Sequence, residues 1–510
     1  MLPALDASEK VLWTIILETM AREPYRWLLP LLLGLCLARL WLMPLPSSFW
    51  LDETATVFVA QHGADHPSVM EAGPQSWRSW YYPLIRVDGA VFGYSEIAAR
   101  MPSILAMGAL LALLAALVRR VVHAEAAWFA VFACLALPGI NYQAANARPY
   151  ALGMCAFAAA LLFLVRWLDS ARWLDALLFV ASAALVLHLH LMFWPSCVAF
   201  VLYAAVRVAR GETPAGWSRA ILVFSLWAIV LTPVVVETLS LFHQAQTHVV
   251  AALPSPLQFL RSLDLALVAG CAAGAWLIGR TQRWGAGKLS LSLAVFAGGW
   301  WLCQSILLYA FSWLTGESVF VPRYLQLAQP GAAIAATVLT ASFVPTGQWR
   351  KLAMVFGCGV LLFGGQWRQL WPRHHNSDWR AAARAVNAIE TAGAVPVICP
   401  SPFIEARPPV WRPNYPLPGF LYAHLAVYSI AASTYLFPFE DSPQAEVWAS
   451  SLASGTLSTS RRFLIYGWQP QVDFWRDWFA KRPEFAGWRQ KRIGPFADVD
   501  VVLFEAAGQR

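Results

Sequence analysis

Charge is what this chain has little of. Only 13% of its 510 residues are Asp, Glu, Lys or Arg, against roughly 25% in an ordinary soluble protein. Hydrophobic residues make up 58% of the chain and its mean hydropathy is +0.52. That combination excludes a soluble globular enzyme and fits a polytopic membrane protein. Cysteine is equally uninformative as a framework. Cys36, Cys134, Cys155, Cys197, Cys271, Cys303 and Cys358 lie in apolar runs and Cys399 stands alone near the end, so no disulfide scaffold is expected. Strong zinc spacing is missing too: His62/His66, His188/His190 and His374/His375 are isolated pairs. No internal repeat, no low-complexity tract and no convincing signal-peptide cleavage site are seen. The net charge of +8 does not point to nucleic acid, because the basic residues are scattered over short loops, where they report topology.

Long apolar runs are what the chain has instead. They predict about eleven spans, near 27–45, 101–118, 126–142, 150–166, 173–189, 191–207, 220–236, 263–279, 289–311, 324–343 and 352–371. Lys10, Arg22 and Arg26 precede the first. Arg119-Arg120, Arg166 with Arg172, Arg207 with Arg210 and Arg219, Arg280 with Arg283 and Lys288, and Arg350-Lys351 then occupy every second loop. The positive-inside bias makes that side cytoplasmic. The expectation is a bacterial inner-membrane protein with a cytoplasmic N-terminus and a periplasmic C-terminal region. A transmembrane unit over 1–373 and a periplasmic α/β domain over 374–510 follow. Its expected strands are 395–399, 463–466 and 499–504, with helices at 377–390 and 474–480. The first outer loop, 46–100, is too long for a turn. Its aromatics Trp77, Trp80, Tyr81 and Tyr82 predict helices lying at the membrane interface.

Within this frame a few polar residues need a reason. Asp52-Glu53 follows the first span directly, and carboxylates are costly near a bilayer. The pair is either a hydrated loop start or the acid/base element of a membrane active site. Arg148 lies in a polar turn, Asn141 to Tyr150, on the side the charge bias leaves poor in bases. It is either an ion-pair partner of Asp52 or Glu53 or a grip for a phosphate. Arg323, before the tenth span, either snorkels to headgroups or binds phosphate. His188 and His190 would point about 200° apart on a helix, which favours buried histidines over a metal pair.

These residues also carry a resemblance. The chain resembles the bacterial polyprenyl-phosphate-sugar-dependent glycosyltransferases of the membrane C-type fold, relatives of protein O-mannosyltransferases and of the lipid A aminoarabinose transferase. The matching elements are Trp50-Leu51-Asp52-Glu53, then Phe92-Gly93-Tyr94-Ser95-Glu96 continuing to Arg100-Met101-Pro102-Ser103. Arg148-Pro149-Tyr150-Ala151-Leu152, His190, Arg323-Tyr324 and Asp378-Trp379-Arg380 follow in order. Three departures stand out. Trp80-Tyr81-Tyr82-Pro83-Leu84 replaces a Pro-Pro-Leu-Tyr-Tyr-like element, Asn146 replaces an acid, and Leu189 rather than Thr precedes His190.

The resemblance implies inverting sugar transfer from a polyprenyl-phosphate donor to a lipid, glycan or protein acceptor. Asp52 would be the general base, with Glu53 orienting the acceptor or a basic partner. Arg148, Arg323 and Tyr324 would hold the donor phosphate. Tyr81, Tyr82, Asn146, Tyr150 and His190 would contact acceptor or sugar. No divalent metal is obligatory, although one is possible. The alternative is a transporter or flippase of lipid-linked sugars, which would show inverted repeats and broken spans; the sequence displays neither.

Overall fold

The computed structural model describes residues 25–63, 79–245, 251–285, 287–366, 368–374, 377–390 and 395–507. Trp77, His66 and His375, singled out above, lie outside the described residues.

Each of the eleven apolar runs contains helix. Five helices are long and apolar enough to cross a membrane: Glu96–Val121, Tyr150–Ser170, Leu191–Ala209, Trp217–Val236 and Leu291–Thr315. Two bent pairs raise the number to seven among the described residues. The eleven expected from the runs therefore remains an expectation. Several runs form helices too short to qualify, such as Trp173–Leu189.

The expectation of unbroken spans is corrected at the bent pairs. Ala124–Leu135 and Pro138–Ala144 meet at 80°, and Pro256–Ser262 and Leu265–Thr281 meet at 57°. The first bend has a local cause. Leu137 is extended and Pro138 opens the next helix at a position where its missing N–H costs nothing. At the second, Asp264 adopts the left-handed conformation, φ +48°, between the two helices.

Helix starts follow the polar residues of the loops. Ser95 caps Glu96–Val121 through the Ala98 N–H, and Ser290 caps Leu291–Thr315 through the Leu293 N–H. The Asp52 helix, Leu51–His62, starts after extended Trp50. Glu53 accepts the Trp50 N–H at 3.2 Å. Both acids occupy its first turn, where the helix dipole favours negative charge. Ahead of the Glu96 helix lies Tyr81–Phe92, a short helix that exposes Val87, Val91 and Phe92. That exposed apolar face suits a membrane interface.

The C-terminal residues build a five-stranded sheet in the order β2-β1-β3-β5-β4. The strands are β1 Val397–Pro400, β2 Thr434–Phe437, β3 Arg462–Trp468, β4 Arg489–Phe496 and β5 Val499–Glu505. β1 pairs in parallel with β2 and β3, whereas β5 is antiparallel to β3 and β4. The expected strands at 395–399, 463–466 and 499–504 match β1, β3 and β5. Helices Trp379–Glu390 and Gln469–Ala480 cover the expected helical segments. β2 and β4 were not expected. β4 reads Arg-Gln-Lys-Arg-Ile-Gly-Pro-Phe and is mostly exposed, an edge strand whose charges discourage pairing with other chains. Its backbone pairing with β5, rather than an apolar pattern, makes it a strand.

Apolar packing forms one large core among the membrane helices and a second around the sheet. The Asp52 helix joins them. Its Ala55, Phe58 and Val59 belong to the sheet's core, whereas Ala60 belongs to the helical one.

Candidate active site

Asp52, Arg148 and Arg323 converge. Asp52 Oδ2 accepts from Arg323 Nη1 at 2.7 Å, and Arg148 Nη2 lies 4.0 Å from the same oxygen. Three different elements bring them together: the first turn of Leu51–His62, the turn before Tyr150–Ser170, and the four-residue helix Pro322–Leu325. Arg148 also donates to Thr56 Oγ1 at 3.2 Å and reaches the Asp52 carbonyl at 3.4 Å. The Asp52 side chain keeps 19% of its surface, Arg148 16% and Arg323 39%, so the cluster is open at one edge. Two guanidiniums face one carboxylate, which leaves one positive charge uncompensated. The Nε–H groups of both arginines are shielded from solvent and, among the described residues, have no hydrogen-bond partner. A shielded donor without an acceptor costs free energy, and an anion with several oxygens would accept from both.

Glu53 sits one residue away in a different setting. Its side chain is fully buried. Arg100 Nε and Nη2 donate to its two oxygens at 2.8 and 2.5 Å, and the Ala147 N–H donates at 2.7 Å. Arg100 spends its remaining donors on the carbonyls of Leu45, Ser47 and Ser48. His374 Nε2 lies 4.0 Å from Glu53 Oε1. This closed knot fixes the loop that delivers Asp52, and the basic partner of Glu53 is Arg100.

Asn146 is buried inside the fold. Its side chain accepts from Trp50 Nε1 at 3.1 Å and donates to Gln143 Oε1 at 2.8 Å. Its carbonyl accepts from Ser103 Oγ at 2.6 Å. Asn146 thus ties the Arg148 turn to the start of the Asp52 helix. Tyr150, His190 and Tyr324 form an aromatic wall. The His190 ring lies 5.3 Å from Tyr150 and 5.2 Å from Tyr324, and the Arg148 and Arg323 guanidiniums lie over Tyr150 and Tyr324 at 5.9 and 5.5 Å. Burial first, then Arg148 and Arg323, push His190 down to about 3. The ring is therefore neutral at physiological pH. Its Nδ1 accepts from the Met192 N–H at 3.2 Å, which leaves Nε2 to carry the proton. His188 turns elsewhere and stacks on Trp80 at 4.7 Å. Buried Gln304 donates to the carbonyls of Met192 and Tyr324 and so pins the wall in place.

Tyr81 is buried, and Tyr82 packs against both cores. Their rings lie 5.9 Å apart. The charge of Arg148 and that of Glu53 both act on the Tyr81 phenol, although burial is the larger influence and pushes it up. Among the described residues neither tyrosine side chain hydrogen-bonds the Asp52 or Arg323 side chain. No group of three metal-ligating side chains occurs among the described residues.

Some residues of this site were not singled out from the sequence. Arg100 and Glu96 stood in a quoted motif without a role. Glu96 accepts from Arg380 Nη1 at 3.0 Å and from the Tyr428 hydroxyl at 2.8 Å. Tyr428 in turn accepts the Phe49 N–H at 2.8 Å. The C-terminal region thereby clamps the loop that carries Asp52. The Arg380 partner was visible in Asp378-Trp379-Arg380, whereas Tyr428 gave no sequence signal.

Comparison with known proteins bears on the fold that carries these residues. Residues 81–236 match the family described as dolichyl-phosphate-mannose-protein mannosyltransferase. No curated protein sequence matches significantly. ArnT from Cupriavidus metallidurans, solved bound to undecaprenyl phosphate, is similar in fold. Its TM-score is 0.53 at 13% identity, covering 94% of this chain and 99% of that one. The apo form of the same protein aligns at a TM-score of 0.49 and 12% identity, covering 93% and 97%. Arabinosyltransferase EmbB from Mycobacterium smegmatis aligns at 0.39 and 17% identity, over 61% of this chain and 30% of that one.

Proposed function

Starting from a chain with the membrane C-type glycosyltransferase fold, we propose that it transfers a sugar from a polyprenyl-phosphate donor to an extracytoplasmic hydroxyl. The observation that carries this reading is the surplus positive charge beside Asp52 among the described residues, with two shielded Nε–H donors that none of those residues accepts from. The fold likeness to a transferase solved with undecaprenyl phosphate supports the same donor class.

The chemistry then follows from the geometry. The donor phosphate draws Arg323 and Arg148 away from Asp52 and accepts from their free donors. Asp52, released from its ion pair, takes the proton of the acceptor hydroxyl. That oxygen bonds to the anomeric carbon as the bond from that carbon to the phosphate oxygen breaks. The electron pair leaves with polyprenyl phosphate, whose added negative charge the two guanidiniums stabilise. Direct displacement inverts the anomeric centre. Glu53 holds Arg100 and the loop rather than touching substrate. Neutral His190 and the tyrosines around it offer apolar faces and hydroxyls to a sugar ring. No step needs a divalent ion, because the leaving group is a single phosphate already met by two cations. The bacterial inner membrane, with the sheet on the periplasmic side, is the location this reading requires.

The test is mass spectrometry of surface glycolipids and polyprenyl-phosphate sugars from cells with the chain, without it, and with Asp52→Asn. The expected result is loss of one sugar-sized unit from an acceptor, with its lipid donor accumulating, in both the null and the variant. Near-normal transfer by well-folded Asp52→Asn would remove the general base. Unchanged glycans with a donor that never reaches the outer leaflet would make the chain a flippase.

A further inference from the structure

A second cleft is lined in part by the short helix that carries Arg323. It is a cleft of about 340 Å³, within the range of small-molecule sites. Its polar lining includes Gln258, Arg261, Asp264, Gln326 and Gln329, and Pro322 and Leu325 are among its apolar residues. The walls belong to Pro256–Ser262, to the left-handed corner at Asp264, and to the segment from Pro322 to Gln329.

The Asp264 carboxylate accepts from Gln329 Nε2 at 3.2 Å. Among the described residues neither Asp264 nor Arg261 forms an ion pair, although opposite charges line the same cleft. A carboxylate at the break of an apolar helix pair without a cationic partner asks for a ligand. Gln329 adds an oxygen, Oε1, that is shielded from solvent and, among the described residues, unpartnered. The cleft is also built tightly at its back. A Cβ on Gly139 would stand 2.3 Å from that oxygen and 2.9 Å from Gln326 Cγ, so the helix backbone presses directly on both amides.

The mixture of groups defines the ligand. An anion would meet Asp264 and an ammonium would meet Arg261. A hydroxyl both donates and accepts, so it satisfies the carboxylate, the guanidinium and the amides together. The cleft is wired to the site already described. Gln326 hydrogen-bonds Gln143, which bonds Asn146, which bonds the indole of Trp50 at the start of the Asp52 helix. We propose that this cleft is a sugar-binding subsite in which Asp264, Arg261, Gln258, Gln326 and Gln329 hold the hydroxyls of a glycosyl group. This rests on the transferase reading above. The sugar belongs either to the lipid donor or to a glycan acceptor, and the two sources separate experimentally.

The experiment uses the purified full chain in detergent. Native mass spectrometry compares binding of undecaprenyl phosphate with that of undecaprenyl phosphate carrying one glucose or one mannose. For a donor sugar, the wild type favours a sugar-bearing lipid by about tenfold or more. Asp264→Asn and the exposed Arg261→Gln each erase that preference and leave binding of the bare carrier unchanged. For an acceptor sugar, the preference is absent. Both variants then raise the KM for acceptor membranes from a null strain while kcat holds. Variants that leave both the preference and the acceptor KM as in the wild type overturn the subsite, as does equal loss of bare-carrier binding. Failure of the transferase reading is read separately, because normal turnover by Asp52→Asn leaves the binding comparison intact.

Discussion

Asp52 and Glu53 are neighbours in sequence, yet they belong to two regions built on opposite principles. The region around Glu53 is closed: a buried carboxylate and a buried guanidinium, with neighbouring carbonyls taking up the remaining donors. The region around Asp52 is open at one edge and, among the described residues, carries one carboxylate against two cations and leaves donors unspent. A satisfied knot gives rigidity and offers nothing to a ligand. An unbalanced cluster costs free energy until a ligand completes it. The first region therefore holds the second at its post.

Amidating each acid in turn separates them most sharply. Asp52→Asn lowers the transfer rate by roughly 10²–10⁴-fold, the usual worth of a general base. Its melting temperature stays near wild type, since half-open ion pairs contribute about 0–1 kcal/mol. Glu53→Gln does the reverse. It strands the Arg100 charge in the interior and costs about 3–5 kcal/mol of stability, seen as a lower melting temperature and poor yield of folded protein. Equal melting temperatures for the two variants would dissolve the contrast.

Arg323→Ala is the next largest effect. Removing one cation from the phosphate side lowers kcat by about 10²–10³-fold, and Arg323→Lys restores part of it because charge returns without the planar fork. Turnover of Arg323→Ala at the wild-type rate would move the donor phosphate elsewhere.

The smallest expected effect is a pH dependence of the sheet region. His424 is buried against Trp379 and Tyr466, and burial pushes it from 6.5 down to about 3. Between those values the unfolded chain binds a proton that the folded chain refuses. Stability is therefore complete above about 6.5 and falls with acidity by about 1.4 kcal/mol per pH unit. His424→Phe flattens that slope in thermal melts between pH 6.5 and 5. An unchanged slope would show that another group governs it.

Much of the fold was legible because it rests on local pattern. Apolar runs announced helices at every place they occur, and β1, β3 and β5 carry the β-branched and aromatic runs that mark buried strands. β4 was illegible because its residues are charged and its strand state is imposed by β5. The bend at Asp264 was hidden for a related reason: a single left-handed residue leaves no periodic trace.

By itself, the sequence determined that this chain belongs in a membrane and where its helices lie, and it singled out the ordered polar motifs. These follow from composition and short-range spacing. Only the tertiary structure decided that Arg323, 271 positions away, is the partner of Asp52. It alone decided that Glu53 is sealed by Arg100 and that Tyr428 reaches back from the sheet region to the Asp52 loop. The physical reason is that ion pairing and shielding from water depend on which surfaces meet, and two adjacent carboxylates of almost identical chemistry acquire different roles only when those surfaces are fixed.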